Sequence, residues 1–264
     1  MTPTDRRHDP KFATTLAHGI ALLESFDIGH AALTNKQLAE RTGLSKATVS
    51  RLTSTLQERG LILFDAQARR YRLASTALTI GYPLLASLEI RREARLGMKR
   101  LADELGGSVS LGMRDRTRMI YVETSRGNDP IAFRPDVGAA LPMLQTAMGR
   151  AWLAAVSADL RSEVLATLRT QTPELHAKWA GSIERALDDL QRRGFCVSRG
   201  DWQSDVHAIA VPLELLIDTE RLVINCGVPQ RRLLEGELEA KIGPRVIELA
   251  RHIESHWRAG TPAP

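Results

Sequence analysis

Residues 33–60 read LTNKQLAERTGLSKATVSRLTSTLQERG, the pattern of two short helices joined by a three-residue turn. Thr34 with Gln37 three positions on has capping-box spacing, so a first helix is expected to open there and run through Leu38 and Ala39 to Arg41. Thr42, Gly43 and Leu44 form the turn, where Gly43 can take the positive φ of a sharp reversal. Ser45 can cap the second helix through its hydroxyl. At about 100° per residue, Val49, Leu52 and Leu56 share one face, the one to be buried. Lys46, Ala47, Ser50, Arg51 and Ser54 fall on the opposite face. That face is small or basic and lacks carboxylates, which suits a helix lying in a DNA major groove. The plainer alternative is a helical hairpin with a solvated polar face.

The next residues favour the groove. Leu61-Ile62-Leu63-Phe64 leads into Asp65-Ala66-Gln67-Ala68, and Arg69-Arg70-Tyr71-Arg72-Leu73 returns, a β-hairpin with arginines at its tip and second strand. A hairpin after a recognition helix is a wing that can set cations against the DNA backbone. The DNA-contact candidates are therefore Ser45, Lys46, Ala47, Thr48, Ser50, Arg51 and Ser54, joined by Arg69 and Arg70 of the wing. Upstream, Leu16, Ile20, Leu23 and Phe26 recur at helical spacing and are expected to supply a third helix and core.

The chain has 264 residues, enough for two domains with their own cores. Its net charge of +5 is unevenly spread. Residues 1–75 carry 11 Lys+Arg against 7 Asp+Glu, whereas residues 76–264 carry 25 against 24. The excess sits with the helix pair, as a phosphate-binding surface requires. No apolar run is long enough to span a membrane, and the N-terminal MTPTDRRHDPK has no signal-peptide core, so a cytoplasmic protein is expected. Residues 1–11 read as a flexible arm. Cys196 and Cys226 form no disulfide framework or zinc motif, and both sit in apolar strand-like runs.

From Ala74 to about Ile90 the pattern is helical through Leu78, Tyr82, Leu85 and Leu88, interrupted by Pro83; this is the expected linker helix, placed at 76–90. Its stripe can pack on a partner's copy or on its own domain. Residues 91–258 mix helices and strands. Helices are expected at 92–105, 146–155, 158–168, 173–193 and 231–257. Strands are expected at 108–113, 118–124, 131–134, 195–199, 206–213 and 221–226. This is an α+β plan, long enough to enclose a small-molecule pocket. Residues 259–264 are the tail. No nucleophile elbow, Walker loop or HExxH pair is present. His207 near Asp201 and Asp205, and Cys226 beside Gly227, are the remaining chemical candidates. No motif aims a base at the thiol, and no metal, cofactor or catalytic activity is expected.

Taken together, these segments resemble the IclR family of bacterial transcription regulators, from about Phe12 to Trp257. The stretch 33–60 with YRLA resembles its winged helix-turn-helix. GGSVSLGMRDRTRMIYVE, VGAALPMLQTAMGRAWLA, RRGFCVSRGDWQSDVHAIAVPL and LVINCGVP follow in the family's order as effector-domain strands, pocket loop and helix. The resemblance implies a GAF-like α/β effector-binding domain and assembly as a homodimer or homotetramer. It also implies an operator DNA and a small organic acid as partners, and control of a catabolic operon by repression or activation. Carried over residue by residue, it assigns the ligand carboxylate to the backbone amides of Ala147 and Met148. It assigns the remaining lining to Ser198, Ala208, Ile224 and Cys226, with Trp202 and His207 nearby. Ser198, Ala208 and Ile224 replace an acidic residue, a cysteine and a serine of the isocitrate lyase regulator. This more apolar lining suggests an aromatic or larger acid. The competing functions are an enzyme with a DNA-binding appendage and a constitutive DNA binder.

Overall fold

The computed structural model describes residues 11–128, 135–217 and 219–260. The expected arm, apart from Lys11, lies outside them, as do the expected strand Ile131–Arg134 and most of the expected tail. The chain divides into two compact units, 1–87 and 88–264. The division falls inside the stretch expected as the linker.

The first unit begins with α1 (Thr14–Glu24), β1 (Ala32–Leu33), α2 (Asn35–Thr42) and α3 (Lys46–Glu58). The hairpin β2 (Ile62–Asp65) and β3 (Arg70–Leu73) follows, then α4 (Thr76–Ser87). The capping box forms as its spacing requires: Thr34 N–H donates to Gln37 Oε1 at 2.9 Å, and Gln37 N–H to Thr34 Oγ1 at 3.2 Å. Gly43 ends α2 at φ 69°, a conformation that costs a side-chain-bearing residue energy. Ser45 Oγ then accepts from Thr48 N–H at 3.1 Å and opens α3. The strands pair antiparallel in the order β1-β3-β2.

Leu22, Leu33, Leu38, Val49, Leu56 and Ile62 close the core, with Leu23, Phe26 and Leu52 packed around it. Each fully buried aliphatic side chain contributes about 1.5–3 kcal/mol. Two expected core residues are corrected: Leu16 and Ile20 are 64% and 46% exposed. The 3.6-residue period of α1 turns them off the core face that Leu22 occupies. In α4, Pro83 sits inside the helix without ending it, and Leu78, Ile80, Tyr82 and Leu84 are exposed. Leu88, expected on the same stripe, is instead buried in the second unit.

The second unit opens with α5 (Ile90–Leu105), β4 (Ser108–Asp115), β5 (Arg118–Arg126) and β6 (Ala140–Pro142). Then come α6 (Ala147–Ala155), α7 (Ala158–Gln171), α8 (Pro173–Trp179) and α9 (Ser182–Arg193). β7 (Cys196–Arg199), β8 (Val206–Ile217), β9 (Glu220–Pro229) and α10 (Gly243–Gly260) complete it. The strands form one antiparallel sheet in the order β6-β5-β4-β9-β8-β7. α5 and α10 pack on one face and α6 on the other, with α9 against α6.

α5 is seated by charge as well as by apolar burial. Arg91 and Arg95 each place Nη2 3.0 Å from Oε2 of the buried Glu123 on β5. On the opposite face α6 approaches closely. A Cβ at Gly112 would meet Met148 Sδ at 2.3 Å, so a larger residue there would displace that side chain.

Three boundaries differ from expectation. The single helix 173–193 is two, α8 and α9, separated at Ala180 and Gly181. The last helix starts only at Gly243, after a 3-10 turn (Gln230–Arg232) and a π-helical turn (Leu238–Ile242). β6, expected as loop, pairs with β5 through Met119↔Leu141. A three-residue strand has too short a pattern to announce itself.

Candidate functional site

The first candidate surface lies on α3 and the hairpin. Val49, Thr53 and Leu56 are buried, which turns Lys46, Ala47, Ser50, Arg51 and Ser54 outward with Ser45. Thr48 is half-buried, and its hydroxyl lies 2.9 Å from that of Ser45. At the hairpin tip Asp65 Oδ1 accepts from the N–H groups of Gln67 and Ala68, both at 2.9 Å. Arg69 follows at φ 52°, a left-handed conformation, and both Arg69 and Arg70 are exposed. The structure thus brings the predicted cations and hydroxyls to the outer face of α3 and to the hairpin tip. Long donors on an exposed helix can reach base edges, and hairpin arginines can reach backbone phosphates.

The second candidate site is a cavity at the N-terminus of α6. Thr146 and Ala147 form one end. Ser108, Tyr121, Asn225 and Ala208 line the sheet side, with Ser198, Trp202 and Gln203 from β7 and the following loop. Among the described residues, none that lines the cavity carries a formal charge. Thr146 caps α6 by accepting from Gly149 N–H at 3.2 Å, and its own hydroxyl donates to Pro142 O at 2.8 Å. The amides of Ala147 and Met148, the first two of the helix, have no intrahelical acceptor.

Asn225 Nδ2 donates to Tyr121 Oη at 3.2 Å. Burial pushes the Tyr121 phenol far above its ordinary pKa, so its hydroxyl stays protonated. This end of the cavity therefore holds fixed neutral hydrogen-bonding groups.

The loop over the cavity is tied down by a buried guanidinium. Arg150 Nε donates to Leu144 O at 2.9 Å, and Nη1 to Val197 O at 2.9 Å and Asp201 Oδ2 at 2.6 Å. Gln145 Nε2 donates to Asp201 O at 3.3 Å, and Ser198 Oγ donates to Gln145 O at 2.8 Å. The Arg150 guanidinium also stands 5.5 Å from the centre of the Trp179 ring. These bonds fix Asp201, and the next two residues, Trp202 and Gln203, reach the cavity.

The predicted lining divides. Ala147, Ser198, Trp202 and Ala208 line the cavity; Met148 offers its amide while its side chain is buried in the core beneath Gly112. Ile224 and Cys226 do not line it, which corrects the expectation. Successive strand residues face opposite sides of a sheet, and on β9 the residues facing the cavity are Asn225 and Gly227. His207 also lies off the cavity lining, and its imidazole pKa is lowered, chiefly by burial and then by the nearby Arg199.

Burial pushes the thiols of Cys196 and Cys226 up to about 12, so both are protonated at neutral pH and neither is an activated nucleophile. Ser108, Tyr121, Asn225 and Arg150 carry no motif. The signal was a lone Asn in an apolar strand and a lone Arg in an apolar helix. Among the described residues no helix is long and apolar enough to cross a membrane.

Comparison with known proteins covers both units. Residues 15–66 match the family model described as IclR helix-turn-helix domain, and residues 83–255 that of the bacterial transcriptional regulator IclR C-terminal. The chain is 31% identical to the HTH-type transcriptional regulator TsaQ1/TsaQ2 of Comamonas testosteroni, covering 94% of this chain and 90% of that protein. It superposes on the crystal structure of an IclR family transcriptional regulator from Brucella abortus with a TM-score of 0.84. That match has 37% identity and covers 97% of each chain. A fold match at 19% identity and a TM-score of 0.72 is an IclR homolog complexed with 4-hydroxybenzoate from Microbacterium hydrocarbonoxydans. It covers 93% of this chain and 100% of that one.

Proposed function

We propose that this chain, which belongs to the IclR family of bacterial transcriptional regulators, reads an operator through α3 and its wing and is switched by a small aromatic or other organic acid. The family's members are ligand-responsive regulators of catabolic regulons, and this chain shares both of their domains. The observation that carries the effector reading is the cavity itself. Its described lining carries no formal charge, yet one end presents the first two amides of α6, unpartnered within the helix and at its positive dipole end. The two amides can meet a carboxylate, and the cavity of about 50 Å³ must then widen to seat the remainder of a planar molecule against Trp202, Leu141 and Ala208. The IclR homolog complexed with 4-hydroxybenzoate supports an aromatic acid as the first compound to try.

The protonated thiols speak against covalent catalysis by cysteine. For assembly, the exposed Leu78, Ile80, Tyr82 and Leu84 of α4 support a homodimer or homotetramer. Two reading heads must stand about 34 Å apart, or a multiple of it, on a palindromic site. A cytoplasmic location follows from the DNA partner.

The deciding experiment titrates the whole chain with 4-hydroxybenzoate and related acids while following its affinity for the DNA upstream of its own gene. One acid is expected to shift that affinity roughly 5- to 150-fold, a coupling of about 1–3 kcal/mol. Unchanged affinity with every acid of the adjacent operon's pathway would mean a constitutive binder; steady product formation would mean an enzyme.

A further inference from the structure

A groove in the first unit lies between α1 and α3. Thr15 and His18 of α1 form one wall, and Thr48, Ser50, Arg51 and Ser54 of α3 form the other. Its volume of about 500 Å³ is that of a ligand site, and hydroxyls, an imidazole and a guanidinium share its walls with Leu52. Among the described residues, every polar one lining the groove can donate a hydrogen bond and none is a carboxylate. The side chains of Thr15, His18, Ser50, Arg51 and Ser54 have no hydrogen-bond or ion-pair partner among the described residues. A groove of unengaged donors without acceptor charge is built for an anion. Ser50, Arg51 and Ser54 belong at once to this groove and to the outer face of α3.

We infer that the groove seats a backbone phosphate of the bound duplex beside α3. Thr15 and His18 are then DNA contacts supplied by the helix that precedes the helix-turn-helix. The inference rests on α3 being the DNA-reading helix. Phosphate contacts of this kind position the protein on DNA and carry no sequence information. Among the described residues, His18 and Arg51 are the ionisable groups lining the groove. On α1 the remaining ionisable residue is Glu24 at its far end. α2 also packs on α1 and carries Lys36, Glu40 and Arg41, while α3 carries Lys46 and Glu58 besides Arg51; none of these lines the groove.

The test uses the whole chain and a fluorescein-labelled duplex of random sequence, with anisotropy followed over a salt series. Each phosphate neutralised steepens the slope of log affinity against log salt by about 0.9. His18→Lys is expected to steepen the slope by about one such step, and His18→Glu to weaken binding at every salt concentration. His8 and His30 are present in all three proteins, so the differences isolate residue 18. A His18→Lys slope no steeper than wild type would overturn the groove contact, as would His18→Glu binding equal to wild type. If the wild type binds the duplex with no salt dependence, the DNA reading of α3 falls first and takes the groove contact with it. If Arg51→Ala weakens binding while the His18 variants behave as wild type, the groove contact alone falls.

Discussion

The two units place function on opposite kinds of surface. In the first, the candidate contacts stand on the outside of α3 and at a hairpin tip, and the buried residues serve only to hold them out. In the second, the candidate contacts face inward, and the ion pair of buried Arg150 with half-buried Asp201 positions the loop that covers them. An exposed reading surface needs local order in one helix. An enclosed site needs agreement among strands distant in sequence: Ser108, Tyr121, Ser198 and Asn225 meet only because β4, β5, β7 and β9 lie in one sheet. The first can tolerate single changes at its face, whereas the second is coupled through every strand that builds it.

The largest effect that can test this separation is a core deletion. Leu38 is fully buried among the six core residues of the first unit. Leu38→Ala is expected to cost about 2–5 kcal/mol. Scanning calorimetry should show the lower-melting transition moving alone, with acid binding by the second unit retained. Equal loss from both units would mean that they do not fold separately.

Next comes the amide end of the cavity. Ala147 is the first residue of α6, a position that tolerates proline, and Thr146 before it is already extended at ψ 146°. Ala147→Pro therefore removes one N–H donor without changing the backbone conformation, although its ring must pack in the core where Ala147 is buried. The effector response should fall sharply, toward loss of the expected 1–3 kcal/mol or so of coupling, while DNA affinity without effector is unchanged. A full response in this variant would place the carboxylate elsewhere.

Arg51 offers the complementary change on the outer surface. If it reads a guanine edge, Arg51→Ala should cost about 1–3 kcal/mol on operator DNA and far less on random DNA, with effector affinity untouched. An equal loss on both DNAs would reduce Arg51 to a phosphate contact.

The smallest effect belongs to an exposed cluster beneath α2. Burial alone would raise the Asp27 carboxyl pKa, but hydrogen bonds from His30 and Arg41 outweigh it and hold the pKa below its ordinary value. A lowered folded-state pKa means stability that is present above the ordinary carboxylate pKa and lost as pH falls through the lowered one. Asp27→Asn should lower the melting temperature of the first unit slightly at neutral pH, with the difference closing in acid. A difference that widened in acid would reverse the assigned sign.

Sequence alone was sufficient where the physics is local. Capping at Thr34 and Ser45, the left-handed turn at Gly43 and the buried stripe of α3 each depend on residues within four positions, so the outward face of α3 was legible from the sequence. The cavity was legible mainly through the resemblance, and only in part. Ala147, Ser198, Trp202 and Ala208 line it, while Ile224 and Cys226 missed by one position on β9. An apolar strand buried on both faces has no alternation to show which residues point in. The side was decided by pairing with β4 and β8. Tertiary structure alone placed Arg150 under the loop and joined Tyr121 to Asn225 across 104 residues. It also set His18 beside α3, because each of these contacts depends on packing between elements that no sequence spacing encodes.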